Sequence, residues 1–333
     1  MRKPRRFLSA IALLTALSVT SGCGGAGSMS ETLVLASSAN TNITMGRALQ
    51  HFAKLVDDSG AGLEVETHLD GSLFSEATAI NAVQNSEADL ATISDGNYGA
   101  FGDGMFFMNL PYVFKDRDTF KSFILDSDAV EDVHKQVEEE TGLVVVALLE
   151  NSGFRWLGQN KLVRSPSDMG GVRYRTVDSP VEVDLIKAWG GSPTPIAWAE
   201  TYNALSQGVV DGVHSLYDWS ETAGHFESVS HVTEVNAVIG VHLLLMDRNR
   251  FDDLTDGQQR AVRDAGSDTE AWIIEQDTQA NQKARREVSD QGVKIYQPNA
   301  SEEAQWLKRG LTVREKYKDR IPRGLLDGIE SLS

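Results

Sequence analysis

The chain has 333 residues, with 48 acidic against 31 basic side chains and a formal net charge of −17 at pH 7. So acidic a surface repels nucleic acid and anionic lipid, and makes an anionic ligand depend on a local basic pocket. One cysteine excludes a disulfide framework, and the length suffices for two lobes.

The chain begins MRKPRRF, and residues 7–19 form a run without charge. That run is too short to span a membrane and suits a secretory signal. Thr20-Ser21-Gly22 then places small residues ahead of Cys23, as at the site where bacterial lipoproteins are cut and acylated. The expectation is a signal peptide over 1–22 and a lipid-anchored linker of small residues over 23–30. The competing reading is an ordinary signal peptide with an incidental cysteine. As an anchor, Cys23 leaves no thiol for zinc or nucleophilic chemistry. Loss of Arg2, Lys3, Arg5 and Arg6 takes the charge from −17 to −21, because no acid precedes Glu31.

Leu33 to Ser37 reads as the first strand, with 38–44 as the loop at its end. Met45, Leu49, Phe52 and Val56 mark one face of a helix that Gly60 terminates. Alternation predicts a half-buried strand over Leu63 to Leu69, a helix follows over Ser75 to Ser86, and Leu90 to Ile93 closes a second crossover. Gly96 to Gly104 is glycine-rich but lacks the Gly-Lys-Ser/Thr end of a phosphate loop. The aromatics between Phe106 and Phe114 are expected to pack, and Glu138-Glu139-Glu140 to form a solvated helix face. Leu143 to Leu149 is a continuous apolar run, expected to be a fully buried parallel strand. Arg155 follows where the chain should cross between lobes, as a ligand contact, a surface charge or an inter-lobe pair.

Residues 165–215 are the best-defined stretch. Val172, Tyr174 and Thr176 alternate with Arg173, Arg175 and Val177, which predicts a short strand carrying an arginine toward its end. Ser179 is read as an N-cap, Pro180 as the first helical position and Glu182 as the partner in a capping box, with Gly190-Gly191 ending the helix. A strand over Thr194 to Trp198, a helix over Ala199 to Gln207 and a strand over Val209 to Val213 complete an α/β unit. Ligands in open α/β sheets sit beyond the carboxyl ends of such strands, where Arg175, Trp198 and Ser215 fall.

Further on, Ala237 to Met246 reads as an apolar strand returning to the first lobe. A capping box at Thr255 and Gln258 opens a helical stretch reaching Gln291 with one glycine, Gly266. If continuous it spans on the order of 50 Å; the alternative is two helices broken near Gly266-Ser267. Val293 to Tyr296 and a helix from Ser301 to about Lys318 finish the second lobe.

The stretch around Gly171, Arg175, Gly190, Pro193, Thr194, Pro195, Glu200, Tyr202, Ala204, Leu205, Gly208, Asp211 and Gly212 resembles a known family in register. It is similar to the core of the extracytoplasmic solute-binding proteins of tripartite ATP-independent periplasmic (TRAP) transporters, and the flanking segments extend the match over most of the chain. The chain departs after Gly212, where the family often has Gln-Glu-Asn and Val213-His214-Ser215 stands here. The resemblance implies an α/β, two-lobe fold of the type II periplasmic-binding-protein kind, with a ligand cleft between lobes and a long helix across both. On that basis lobe I takes 31–152 with about 241–280, and lobe II takes 153–240 with about 281–333.

The resemblance also implies a receptor that closes on a small organic anion, such as a C4-dicarboxylate or uronate, and delivers it to membrane permease subunits. Arg175 would hold the carboxylate bidentately, Arg155 a second anionic or hydroxyl group, and Trp198 would stack on the ligand. Ser38, Glu76 and Ser94 would contribute from the first lobe and Ser215 from the second. For Ser38, Glu76, Ser94 and Trp198, turn, capping, strand-end and core roles weigh about equally. The seven histidines show no HExxH or tight pair, no GxSxG elbow occurs, and no cofactor or metal is expected. His214, Asp218 and His225 are read as cleft-edge and surface polarity. The alternatives are a receptor for an ATP-driven importer and an anchored hydrolase using His214 and Asp218. A monomer is expected.

Overall fold

A computed structural model describes residues 30–332. The expected signal peptide and Cys23 lie outside those residues. Among the described residues eleven strands form two sheets: β1 (Glu31–Ala36), β2 (Leu63–His68), β3 (Leu90–Ser94), β4 (Leu143–Phe154), β5 (Trp156–Gln159), β6 (Arg173–Thr176), β7 (Ser192–Pro195), β8 (Gly212–Ser215), β9 (His231–Thr233), β10 (Ile239–Asp247) and β11 (Lys294–Tyr296). The first sheet runs β2-β1-β3-β10-β4 and the second β11-β9-β5-β8-β6-β7. The expected α/β, two-lobe architecture is thus present, one sheet in each lobe.

In the first sheet β1 pairs in parallel with β2 and β3. The helix Thr44–Asp58 crosses between β1 and β2, burying Met45, Leu49, Phe52 and Val56 as the spacing required. Strand β4 departs from expectation. It lies at the sheet's edge and, among the described residues, pairs only with β10, antiparallel. Its burial comes instead from Phe120, Phe123, Val133 and Val137 on one side and from the long helix packed along the other, two of whose acids reach its backbone. Glu270 accepts from the Leu148 amide at 2.6 Å and Asp277 from the Ser152 amide at 2.8 Å. The pairing blunts an edge that would otherwise offer its amides to another strand. Burial pushes the Glu270 carboxyl up to about 8.

That helix, Asp256–Asp290, is continuous for 35 residues and so about 50 Å long. The expected box at Thr255 and Gln258 caps it. Gly266 does not break it: a Cβ there would stand 2.3 Å from the Val146 carbonyl, so the glycine lets the helix approach β4. Farther along, Arg285 binds Glu234 at 2.6 Å, just after β9 of the second sheet. One helix therefore braces both sheets.

The chain passes from the first sheet to the second between β4 and β5, at Arg155, and returns between β9 and β10. Two strand ends differ from the sequence reading. Val209 donates its amide to the Ala204 carbonyl, which prolongs the helix cap, so β8 begins only at Gly212 and runs through Ser215. Strand β7 stops at Pro195, and Trp198 opens a single 3₁₀ turn over Trp198–Glu200. Of the acids expected to form a solvated face, Glu139 and Glu140 are exposed, while Glu138 and Glu140 also hold partners. Glu138 binds Arg248 at 2.6 Å, and Glu140 accepts from the Tyr98 hydroxyl at 2.6 Å and the Gly104 amide at 3.0 Å.

Candidate functional site

Between the sheets lies a small cavity of about 50 Å³, and a larger one of about 710 Å³ shares Glu76, Arg175 and Trp198 with it, a volume within the range of small-molecule sites. Strand ends supply much of the small cavity's wall: Ser94 from β3, Asn151 from β4, Arg175 from β6, His214 and Ser215 from β8. Arg155, Trp198, Trp219, His242 and Glu76 join them, with Val177 and Leu216 as apolar wall. Arg155, Arg175, Trp198, Ser215, Glu76 and Ser94 are thereby brought together. Ser38 is not among them; its hydroxyl is buried without a partner and faces the larger cavity.

Arg173 and Arg175 stand on one face of β6 but meet different surroundings. Arg173, at the start of the strand, is exposed and grips Asp211 through two bonds of 2.8 Å. Arg175, two residues on, is 4% exposed. Its Nε donates to the Ile196 carbonyl at 2.9 Å, and its guanidinium lies 5.5 Å from the Trp198 ring centroid. Among the described residues no acid lies within ion-pair distance of it. Burial brings its pKa down to about 10, although Glu182 and Glu76 oppose the shift. Trp198 is half-buried and packs edge-on against Trp219 at 5.3 Å and His225 at 4.9 Å.

Arg155 is also buried, at 5% exposure, but it is already paired. Asp95 lies 3.2 Å from Nη2 and Glu182 3.3 Å from Nη1. Gly240 makes the room, since a Cβ there would stand 3.0 Å from Asp95 and 3.1 Å from Arg155. Glu182 is where the sequence reading needs correction. Ser179 does cap the helix, accepting from the Glu182 amide at 3.3 Å. The Glu182 carboxylate, however, does not turn back to close a box. It faces inward, 2.8 Å from His214 Nδ1, and accepts from the Val177 amide at 3.3 Å. Burial pushes its pKa up, but the His214 bond and the Arg155 charge outweigh that and hold it below the usual range.

Asp95 behaves oppositely: burial raises its pKa to about 6 in spite of Arg155. Its folded value lies above its unfolded one, so the stability it contributes is present below about pH 4 and lost as pH rises through about 6. Binding of an anion should tighten as pH falls through about 6, because a proton on Asp95 removes a negative charge beside Arg155. Burial lowers His214 and His242 from the ordinary imidazole value, and the Asp95 variant separates its own share of the effect from theirs. Titration calorimetry between about pH 5 and 7.5 should show the trend, and Asp95→Asn should flatten it. An affinity that stays constant in the wild type would remove Asp95 from the charge balance of the site.

The remaining residues are held locally. Glu76 accepts from the Ser94 amide, Ser94 Oγ accepts from the Asn97 amide at 3.3 Å, and Ser215 Oγ accepts from the Ser220 hydroxyl at 2.8 Å. His214, Asp218 and His225 are all buried rather than surface groups, and of the three only His214 lines the cavity. His214 pairs with Glu182, whereas Asp218 accepts from the Trp219 amide at 2.8 Å; no hydrogen bond joins the two. Sequence reasoning missed Asp95, Glu182, Asn151, Trp219 and His242 as wall or network residues. His242 alone left a signal, a polar residue inside an otherwise apolar strand.

The model of the family described as "Bacterial extracellular solute-binding protein, family 7" matches residues 35–319. The chain belongs to this family. Family 7 proteins are the solute-binding receptors of TRAP transporters, not enzymes, and act outside the cytoplasm, which answers the importer and hydrolase alternatives. A solute-binding protein of Verminephrobacter eiseniae is 30% identical over 226 residues, 67% of each chain. Among solved structures, a TRAP periplasmic solute-binding protein of Pseudomonas putida with bound D-glucuronate aligns with a TM-score of 0.85 at 22% identity, covering 90% of this chain and 97% of that one. One from Sulfurospirillum deleyianum with bound succinate gives 0.83 at 22%, covering 91% and 99%. Both establish the two-lobe fold for this family 7 chain.

Proposed function

We propose that this chain captures a small organic acid by clasping its carboxylate on Arg175 between two closing lobes, then delivers it to the membrane permease of a TRAP transporter. The reading rests on one observation above all: Arg175 is 4% exposed and, among the described residues, no acid pairs with it. A buried guanidinium without a counter-ion is costly, and a ligand carboxylate relieves that cost with charge-assisted, bidentate bonds. Trp198, beside the guanidinium, supplies an apolar wall for the ligand's carbon skeleton. Lobe I (31–152 with about 241–280) and lobe II (153–240 with about 281–333) meet at the cavity, and ligand shifts the open–closed population toward closure.

A thermal-shift screen of organic acids, after any co-purified ligand is removed by partial unfolding, tests the reading. At least one acid should stabilise the protein by RT ln(1 + [L]/Kd), about 2.7 kcal/mol at a hundredfold excess over Kd. No stabilisation by any carboxylate would remove it.

Anchoring follows from the Thr20-Ser21-Gly22-Cys23 motif. Mass spectrometry of the membrane-extracted protein should find an N-terminal Cys23 bearing a diacylglyceryl group. A mature protein beginning elsewhere, with its thiol free or removed, would leave the receptor untethered.

A further inference from the structure

Two arginines reach the cavity, but their availability differs. Arg155 already bonds Asp95 and Glu182. Arg175 alone of the pair has no acid within ion-pair distance among the described residues. Against these two cations stand three acidic side chains, Asp95, Glu182 and Glu76. Glu76 is the acid that no arginine holds. It opens the single turn Glu76–Thr78, and its side chain is 12% exposed. Its Oε1 accepts from the Ser94 amide and lies 3.5 Å from His242 Nε2. No hydrogen bond reaches Oε2 among the described residues. Other wall atoms are buried without protein partners: Trp219 Nε1, Arg155 Nε and Asn151 Oδ1.

We infer that the ligand is a monocarboxylate whose far end donates hydrogen bonds to Glu76, from hydroxyl or ammonium groups, and that Glu76 rejects dicarboxylates. The inference rests on the reading of Arg175 as the carboxylate anchor. With the first carboxylate on Arg175, a second would face the Glu76 carboxylate and find no unpaired cation. It would be buried, unpaired and beside a like charge. A hydroxyl or ammonium group meets the free Oε2 instead, and further hydroxyls can satisfy Asn151 Oδ1 as donors and Arg155 Nε and Trp219 Nε1 as acceptors. Discrimination thus comes from a repulsive element as well as an attractive one. Sites that hydrogen-bond a substrate group reject analogues lacking it strongly, because their own buried polar atoms are left unpaired.

The test uses three probes in titration calorimetry on the ligand-free wild type: D-glucuronate for hydroxyl donors, proline for an ammonium donor, and succinate for a second carboxylate. Glucuronate or proline should bind at least about a hundredfold more tightly than succinate, and whichever leads identifies the donor. Glu76→Gln keeps the shape and removes the charge, so it should weaken the preferred acid and narrow the gap to succinate by about tenfold or more. Succinate as the tightest probe, or an unchanged ratio in Glu76→Gln, overturns the assignment to Glu76 while leaving Arg175 as the anchor. Binding by none of the three overturns the monocarboxylate inference. Preferred binding that survives Arg175→Ala at full strength overturns the anchor, and this inference with it.

Discussion

Arg175→Ala should weaken binding of the organic acid by about 2–5 kcal/mol, the scale for leaving a buried ligand charge without its partner. Even the low end is more than tenfold in Kd. Arg175→Lys keeps the charge but replaces a planar fork with a point charge, and should still cost more than about tenfold. A hydrated arginine in an open cleft would make little difference to the ligand-free protein. Arg175 is instead buried, with one hydrogen bond through Nε and no ionic partner among the described residues. Removing such a charge relieves its desolvation, so ligand-free Arg175→Ala should unfold at the same urea concentration as wild type or a higher one. Calorimetry and a urea melt on the same preparations separate the two effects. Near wild-type affinity in the alanine variant would take Arg175 out of the site.

The second large effect is on stability. Glu182→Ala should destabilise the fold by about 3–5 kcal/mol, the range for removing one partner from a buried ion pair. Glu182 is 2% exposed and joins Arg155, His214 and the Val177 amide. Its loss leaves His214 Nδ1 bare and Arg155 with Asp95 alone. Glu182→Gln retains the shape and a hydrogen bond to His214, so it should fall between alanine and wild type. Because Glu182 has a depressed pKa in the fold, its contribution is present above its unfolded value of about 4.5 and is lost as pH falls below it. Urea unfolding at pH 7 and at pH 4 reads both. A loss under about 1 kcal/mol in the alanine variant would mean that the network adapts around the vacancy.

The sequence by itself was sufficient for the family by its in-register resemblance, for the two-lobe fold that the resemblance implies, and for most elements, which rest on local or periodic information. Amphipathic spacing placed the helix Thr44–Asp58, the Thr255–Gln258 box marked the start of the long helix, and alternation placed β6. It also brought Arg175, Trp198 and Glu76 to notice, although what each touches was not legible. The tertiary structure decided what depends on neighbours distant in the chain. Strand β10 inserts antiparallel between β3 and β4, and no pattern within Leu143–Leu149 distinguishes a strand buried by parallel neighbours from one buried under a helix. Glu182 sits where a capping box would place it, yet Arg155 and His214, 27 and 32 residues away, draw its carboxylate inward. Gly266 reads as a helix breaker until the Val146 carbonyl stands against it. Arg155 and Arg175 look alike as strand-end cations, and only the placement of Asp95 and Glu182 neutralises one and leaves the other unpaired. Charge pairing in a buried cavity is a property of three-dimensional distance, because desolvation strengthens whichever opposite charge is nearest.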